Sequence, residues 1–233
     1  MITKTPEIIL ALDVDNREHA QKILQATGER LEWVKVGLQS FLRDGPDLVH
    51  TIVDSGKKVF LDLKLHDIPN TMAKAMESLA DLPIGMLTLH ANAGEEALHR
   101  CAQVGKEKLP NTLLLAVTVL TSMNQESLHS VGVESPVIEQ VERLASLAAQ
   151  SEIGGIVCSP QELIRLRSCL PSETKLITPG IRPTGSAVGD QKRIMTPLQA
   201  KQAGADYLVI GRPILAASSP SQALDDILCE LQG

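Results

Sequence analysis

The stretch KVFLDLKLHDIPNTMAKAMESLADL, residues 58–82, contains the unit from which the fold of this chain is predicted. Its first eight residues are mostly apolar and β-forming. From Thr71 onward, apolar side chains recur three and four positions apart, which is typical of a helix that covers a sheet. A strand with a nearly continuous apolar run is expected to be buried on both faces. The stretch therefore predicts one strand followed by one helix, with Asn70 as a signal for the start of that helix.

The same unit recurs along the chain of 233 residues. Further amphipathic segments follow the apolar runs, and Ser135-Pro136 precedes one of them, with proline expected at the first helical position. Eight alternating strand–helix units match a (β/α)8 TIM barrel, and we predict one such domain over residues 1–233. A doubly wound open sheet is the alternative, although it more often has about five to seven strands. The predicted strands are 8–14, 32–37, 58–65, 85–91, 112–120, 154–159, 175–180 and 206–211.

Composition argues against several classes of function. The net charge of −6 and an aromatic content of 2% do not favour binding to nucleic acid or to an anionic membrane. No stretch reaches the ~18 apolar residues of a membrane span, and the N-terminus does not resemble a signal peptide. The four cysteines form no CxxC pair, which indicates reduced thiols in a cytoplasmic protein.

Charged residues are concentrated where the predicted strands end. The catalytic site of a (β/α)8 barrel lies at the carboxyl ends of its strands, so these positions are candidates for function. They include no Ser-His-Asp spacing, no HExxH and no Walker loop. His66 and His90 have no third ligand at useful spacing, so we expect hydrogen-bonded structural or pocket-wall residues and no metal site. The candidates are Asp13, Asp15, Lys35, Asp62, Lys64, His90, Thr121, Ser122, Ser159, Pro179, Arg182, Gly211 and Arg212.

Two Gly-Arg elements indicate a phosphate site. GIR (180–182) follows the seventh predicted strand and GR (211–212) follows the eighth, where barrel enzymes frequently bind phosphate. A helix beginning near Ser218 would add its positive end. The alternative is that the glycines form tight turns and the arginines are solvated. The polar segment 182–193, which includes Gln191, has the character of a lid.

The acids and lysines around residues 60–70 allow two interpretations. Residues two apart in a strand face the same way, so Asp62 and Lys64 are expected on one face about 7 Å apart. Lys35 would be a neighbour across the ladder, and Asp67 lies beyond the strand. The group is either a structural ion-pair network or a catalytic array. Flanking carboxylates favour the ammonium form of Lys64, which argues against a Schiff base and for a proton donor to a carbanion.

These residues closely resemble the orotidine 5′-phosphate decarboxylase family of the bacterial type, across essentially the whole chain. The string DLKLHDIPNT is specific to it, and no departure in the matching stretches indicates an inactive relative. Those stretches are ALDVD (11–15), VKVG (34–37), FLDLKLHDIPNT (60–71), LTLHA (87–91), LTS (120–122), TPGIRP (178–183), GDQKRIMTP (189–197) and VIGRPI (209–214).

The resemblance implies decarboxylation of orotidine 5′-monophosphate to UMP in pyrimidine biosynthesis, without metal or cofactor. It implies that Lys64 protonates C6 of the pyrimidine. It also implies that Asp62 lies beside the substrate carboxylate and holds Lys64, and that Lys35 pairs with Asp62. It also implies a homodimer in which Asp67 and Thr71 reach the neighbouring subunit's site. The further substrate contacts that it implies are Asp13 and Lys35 at the ribose, Thr121 and Ser122 at the pyrimidine amide, and Pro179, Arg182, Gln191, Gly211 and Arg212 on the phosphate side.

Two rival functions stay open at the level of sequence. A magnesium-dependent sugar-phosphate decarboxylase or aldolase shares a DxKxxD element and the phosphate loops. The HDIPNT continuation and Gln191 argue for the nucleotide enzyme. A non-enzymatic barrel that binds a phosphorylated ligand is the second rival, in which the charged mouth is only structural.

Overall fold

The computed structural model describes residues 4–184 and 193–232, which form a closed barrel of eight parallel strands. The first strand pairs with both the second and the eighth, and this closure excludes the open-sheet alternative. Each strand begins within one residue of its predicted start, and no strand is longer than predicted. The strands are β1 Glu7–Ala11, β2 Trp33–Gly37, β3 Lys58–Leu65, β4 Ile84–His90, β5 Leu113–Val117, β6 Gly155–Val157, β7 Lys175–Thr178 and β8 Tyr207–Ile210.

Helices follow the strands around the outside of the barrel. No helix in the described ranges is long and apolar enough to span a membrane. The helices are α1 Arg17–Thr27, α2 Leu38–Asp44, α3 Pro46–Asp54, α4 Pro69–Glu77, α5 Glu95–Lys108, α6 Gln125–Ser130, α7 Val137–Gln150, α8 Leu163–Cys169, α9 Pro197–Ala203, α10 Arg212–Leu215 and α11 Pro220–Gln232.

Two layers of apolar packing hold the barrel together. The larger lies between the strands and the helices, where side chains such as Leu10, Val34 and Leu61 are fully buried. The smaller fills the barrel interior. Because side chains alternate between the two faces of a strand, the buried interior residues mark which positions point inward in all strands except β6. They are Ile9, Ala11, Trp33, Phe60, Met86, Leu115, Ile177 and Val209.

Two helix starts differ from those predicted. Pro69 is the first residue of α4, so Asn70 lies inside the helix, where its side chain accepts a hydrogen bond from Arg100. Pro136 precedes α7 as its N-cap with an extended backbone, and the helix begins at Val137. In both places proline sets the boundary, because its fixed φ suits the start of a helix.

Strand β3 contains an irregularity at its carboxyl end. Leu61 pairs with Leu87 and Leu65 pairs with Leu89, so four steps along β3 correspond to two along β4. The extra length forms a bulge, and within it Lys64 has a positive φ of 50°. Such a conformation is uncommon for a residue with a side chain and is most often retained at functional sites.

Candidate active site

The inward-facing rows of the barrel continue into the predicted site. Lys35 lies two residues after the inward-facing Trp33 in β2, and Asp62 lies two residues after the inward-facing Phe60 in β3. The alternation of side chains therefore places both in the same interior, at the carboxyl end. A cavity of about 150 Å³ opens there, lined by Lys35, Phe60, Asp62, Lys64, Val117, Val119, Leu120, Thr121, Val157, Pro179 and Val209.

Asp62 and Lys64 form the centre of this site. The Lys64 Nζ lies 2.8 Å from both carboxylate oxygens of Asp62. The sequence predicted only that the two side chains share one face of a regular strand, about 7 Å apart. The contact instead forms where β3 bulges and Lys64 has a positive φ. The Asp62 side chain is 11% exposed and that of Lys64 is 32% exposed, so the amine reaches the cavity from a largely buried anion.

Lys35 extends the array toward β1. Its Nζ lies 3.5 Å from Asp62 Oδ2 and 3.3 Å from Asp13 Oδ2. Gly37 makes room for this pair, since a Cβ there would lie 2.9 Å from Asp13 Oδ1 and 3.0 Å from Lys35 Nζ. Asp13, Lys35, Asp62 and Lys64 therefore form a continuous chain of alternating charges, whereas the predicted array ran from Lys35 through Asp62 and Lys64 to Asp67.

The array keeps Asp62 ionised. Burial by itself raises the pKa of this carboxyl group. The charges of Lys35 and Lys64, together with the hydrogen bonds from Lys64 and Thr88, outweigh burial and hold the pKa of Asp62 below its ordinary value.

Thr88 belongs to the site but was not among the predicted residues. It is fully buried in β4, and its hydroxyl donates to Asp62 Oδ1 at 2.9 Å. The prediction considered only residues at strand ends and so passed over Thr88. The signal that identifies it is its position two residues after the inward-facing Met86, which becomes informative once the facing of β4 is known.

The arginines after β7 and β8 lie close enough to interact. Arg182 is 7% exposed, and its guanidinium donates to the carbonyl of Ile181 at 2.8 Å. Burial, reinforced by the charge of Arg212, lowers the pKa of Arg182. Gly211 lies against β1, where a Cβ would meet the Cβ of Ala11 at 3.3 Å. The helical segment predicted near Ser218 is α11, which begins at Pro220.

Only some of the remaining predicted substrate contacts line the cavity. Thr121 and Pro179 line the cavity, whereas Ser122 is exposed beside it. Gln191 and most of the predicted lid 182–193 lie outside the described residues. Arg193, at the end of that segment, forms an ion pair with the buried Glu162 and donates to the carbonyl of Leu120.

Asp67 and Thr71 do not reach the charge array of their own chain. Both are exposed, and the Asp67 carboxylate accepts a hydrogen bond from the amide of Ile68 at 2.7 Å. Within the described part of the chain, no ion pair links Asp67 to Lys35 or Lys64. Ile68, which lies between them in the sequence, is 66% exposed.

The two histidines near β3 and β4 stack on each other. The rings of His66 and His90 are 5.1 Å apart, but the buried Nδ1 of His90 makes no hydrogen bond to the residues described, contrary to the expectation for this atom. Burial, with the nearby His66 and Lys64, lowers the pKa of His90. In residues 4–184 and 193–232, no three His, Cys, Asp or Glu side chains gather into a group that could hold a metal ion.

Two larger hollows lie away from the charge array. One, of about 470 Å³, is lined by α1, α3 and Lys57, and the other, of about 540 Å³, lies around Trp33 and Tyr207. Neither contains the inward-facing acids and lysines, so the smaller cavity is the candidate active site.

A closed parallel barrel whose carboxyl-terminal mouth contains a paired carboxylate and lysine defines the chain as a (β/α)8-barrel enzyme. Comparison with known proteins narrows this class. Residues 6–227 match the family described as "Orotidine 5'-phosphate decarboxylase / HUMPS family", and the chain belongs to this family.

Named relatives cover nearly the whole chain. Orotidine 5′-phosphate decarboxylase from Opitutus terrae is 49% identical over 97% of this chain and 98% of its own length. The enzyme of that name from Saccharophagus degradans is 44% identical over 97% of this chain and 95% of its own. The crystal structure of orotidine 5′-phosphate decarboxylase from Lactobacillus acidophilus is 35% identical, has a TM-score of 0.85 and is covered over 100% of its length by 99% of this chain.

Proposed function

We propose that Lys64 protonates C6 of orotidine 5′-monophosphate as the C6 carboxylate leaves as CO2, which yields UMP. The chain is an orotidine 5′-phosphate decarboxylase, because its family and its full-length relatives carry that name. The observation that carries the role of Lys64 is its ammonium group, held 2.8 Å from both oxygens of a buried carboxylate at the mouth of the barrel.

In the proposed reaction, the bond between C6 and the carboxylate carbon breaks, its electron pair stays on C6, and a proton moves from Lys64 Nζ to C6. A fixed ammonium opposes the negative charge that develops at C6 without reorganising solvent. Repulsion between Asp62 and the substrate carboxylate would raise the energy of the bound substrate and favour loss of CO2.

The rest of the site binds the nucleotide in this proposal. Asp13 and Lys35 contact the ribose hydroxyls, and Thr121 and Ser122 contact the pyrimidine amide. On the phosphate side, Arg182 and Arg212 supply positive charge next to Pro179 and Gly211, with Gln191 between phosphate and base. Support comes from Arg182, whose pKa is lowered by burial and by the nearby charge of Arg212, since a bound anion would offset that charge.

The active site is completed by a second subunit in this proposal. Asp67 and Thr71 are exposed, as is the apolar Ile68 next to Asp67. In a homodimer with twofold symmetry, each chain would place these residues at its partner's Lys64. The negative charge of Asp67 would then complete the alternating array.

We further propose that the enzyme works in the cytoplasm on a soluble nucleotide, with no nucleic-acid or membrane partner. The four cysteines of the chain are free thiols, which fits a reducing compartment. The net charge of −6 opposes binding to polyanions.

The test is to mix the chain with orotidine 5′-monophosphate and follow the loss of orotate absorbance. We expect loss of the absorbance, release of CO2 and formation of UMP. The same rate after incubation with EDTA is expected, whereas a magnesium-dependent sugar-phosphate enzyme would lose activity. Binding of the nucleotide without any change in absorbance would instead support a non-enzymatic barrel and contradict the proposal.

A further inference from the structure

Thr88 connects the two members of the proposed catalytic pair through a single hydroxyl group. The backbone N–H of Lys64 donates to Thr88 Oγ1 at 2.9 Å, and the hydroxyl donates to Asp62 Oδ1 at 2.9 Å. The hydroxyl thus accepts one hydrogen bond from β3 and donates another to it. Thr88 is fully buried, so it has no exposed surface with which to contact a substrate.

The contact lies where the strand ladder is interrupted. Between the Leu61–Leu87 and Leu65–Leu89 pairs, the residues of β3 do not follow the register of β4. In that gap the amide of Lys64 finds a side-chain acceptor, and its backbone adopts a φ of 50°. An amide that is shielded from water and lacks an acceptor costs free energy. The threonine hydroxyl accepts from this partly buried amide and so stabilises the backbone conformation.

The same hydroxyl orients the carboxylate. Asp62 Oδ1 accepts from Thr88 and from Lys64 Nζ, while Oδ2 faces both lysines. Rotation of the carboxylate would break the bond to Thr88. The Thr88 hydroxyl therefore restrains both the backbone of Lys64 and the Asp62 carboxylate that contacts the Lys64 amine.

We infer that Thr88 is a positioning residue for decarboxylation and that it fixes Lys64 and Asp62 relative to each other. This inference rests on the proposed function of Lys64. Valine has the shape of threonine but can neither accept from the Lys64 amide nor donate to Asp62. Serine keeps the hydroxyl and loses only a methyl group.

The experiment compares Thr88→Val, Thr88→Ser and Thr27→Val with the parent chain. Thr27 is a matched control, because it is fully buried and its hydroxyl makes two hydrogen bonds, to the carbonyls of Ile23 and Leu24 in α1. Each variant is assayed for kcat and KM with orotidine 5′-monophosphate, for UMP affinity, for thermal midpoint and for hydrogen exchange at the Lys64 amide. The assays are run well below the unfolding temperature.

We expect Thr88→Val to lower kcat by roughly 10²-fold, the scale of loss for a small misplacement of reacting groups. UMP affinity should change little, since ribose and phosphate contacts lie elsewhere. The Lys64 amide should exchange faster. Thr88→Ser should restore most of kcat, and Thr27→Val should lower the thermal midpoint without lowering kcat.

Several outcomes would overturn the inference. An unchanged kcat in Thr88→Val, with a lower thermal midpoint, would reduce Thr88 to a structural hydroxyl. Equal defects in Thr88→Ser and Thr88→Val would show that the hydroxyl is not the cause. If Thr88→Val does not fold, Thr88→Ala with the serine variant makes the same comparison. A parent chain that fails to decarboxylate the nucleotide would overturn the proposed function and this inference together, whereas an active parent with an active valine variant contradicts only the inference.

Discussion

Lys64 is held in a backbone conformation that lysine rarely adopts. A positive φ costs a residue with a side chain about 1 kcal/mol or more, and the surrounding contacts must offset this. Here they are the Thr88 hydroxyl at its amide and both oxygens of Asp62 at its amine. The residue is thereby restrained at both ends, as a preorganised proton donor requires.

Removing the amine tests this role. Lys64→Ala is expected to lower turnover by about 10³-fold or more, because the developing charge at C6 loses its proton source and its stabilising cation. UMP affinity should stay within about tenfold, since one hydrogen-bonding group is lost from many. Steady-state kinetics and calorimetry measure the two effects.

The control for Lys64→Ala is Lys58→Ala. Lys58 lies on the same strand, is exposed and pairs with Glu32 at the opposite end of the barrel. Its loss should leave turnover unchanged. A Lys64→Ala variant with turnover within tenfold of the parent would contradict the assigned role.

Arg212 allows a separate test of the phosphate site. Arg212→Ala should weaken UMP binding by about 10- to 100-fold, the scale of one charge-assisted hydrogen bond. Binding of uridine, which has no phosphate, should not change. Arg165→Ala is the control, since Arg165 is exposed and pairs with Glu142. Equal losses for UMP and uridine would show that Arg212 does not contact phosphate.

At the scale of elements, a buried ion pair connects the segments that follow β5, β6 and β7. Arg193, just before α9, pairs with Glu162, which caps the turn after β6, and also donates to Leu120 after β5. Glu162 is 2% exposed and accepts from the amide of Ser159 at 2.8 Å. Burial raises the pKa of Glu162, against the opposing effect of Arg193.

Breaking this pair should destabilise the barrel strongly. Arg193→Met leaves a buried carboxylate without its partner, at an expected cost of about 3–5 kcal/mol in the free energy of unfolding. The double variant Arg193→Met with Glu162→Gln should recover part of that loss, because no charge is then buried. Urea unfolding at a fixed protein concentration measures both.

The defect should also depend on pH. A carboxyl group with a raised pKa in the folded state binds its proton more readily there than in the unfolded chain, so stability falls as pH rises through that pKa. Without Arg193 the pKa of Glu162 rises further. Arg193→Met should therefore lose more stability relative to the parent at pH 8 than at pH 5. An equal loss at both values would contradict the buried charge as its cause.

At the scale of the whole molecule, the proposed dimer makes a prediction about mixtures. Lys64→Ala and Asp67→Asn should each be inactive. After they are unfolded and refolded together, about half of the dimers are hybrids, and each hybrid has one intact site of two. Activity should recover to about a quarter of the parent value, because Lys64 and Asp67 of one site come from different subunits.

A second mixture serves as the control. Lys64→Ala and Asp62→Asn change residues that contact each other within one chain, so no hybrid contains an intact site. That mixture should stay inactive. Recovery in both mixtures, or in neither while sedimentation shows hybrid dimers, would contradict a site shared between subunits.

Much of the fold and the site follows from short-range features of the sequence. Apolar runs alternating with amphipathic segments require a parallel sheet covered by helices, and eight repeats close it into a barrel. The carboxyl ends of all parallel strands meet at one face. Residues as distant in sequence as Asp13, Lys35 and Asp62 are therefore brought together by strand position alone.

Other features of the site depend on contacts between elements that are far apart in the sequence. The bulge of β3 arises from its register against β4, and Thr88 acts on Lys64 across 24 residues of chain. Arg193 pairs with Glu162, which lies 31 residues earlier in the chain. Hydrophobic periodicity specifies which face of an element is buried, because burial follows from the side chain itself. It does not specify the register or the partner of a polar group, because these follow from the packing of the whole barrel.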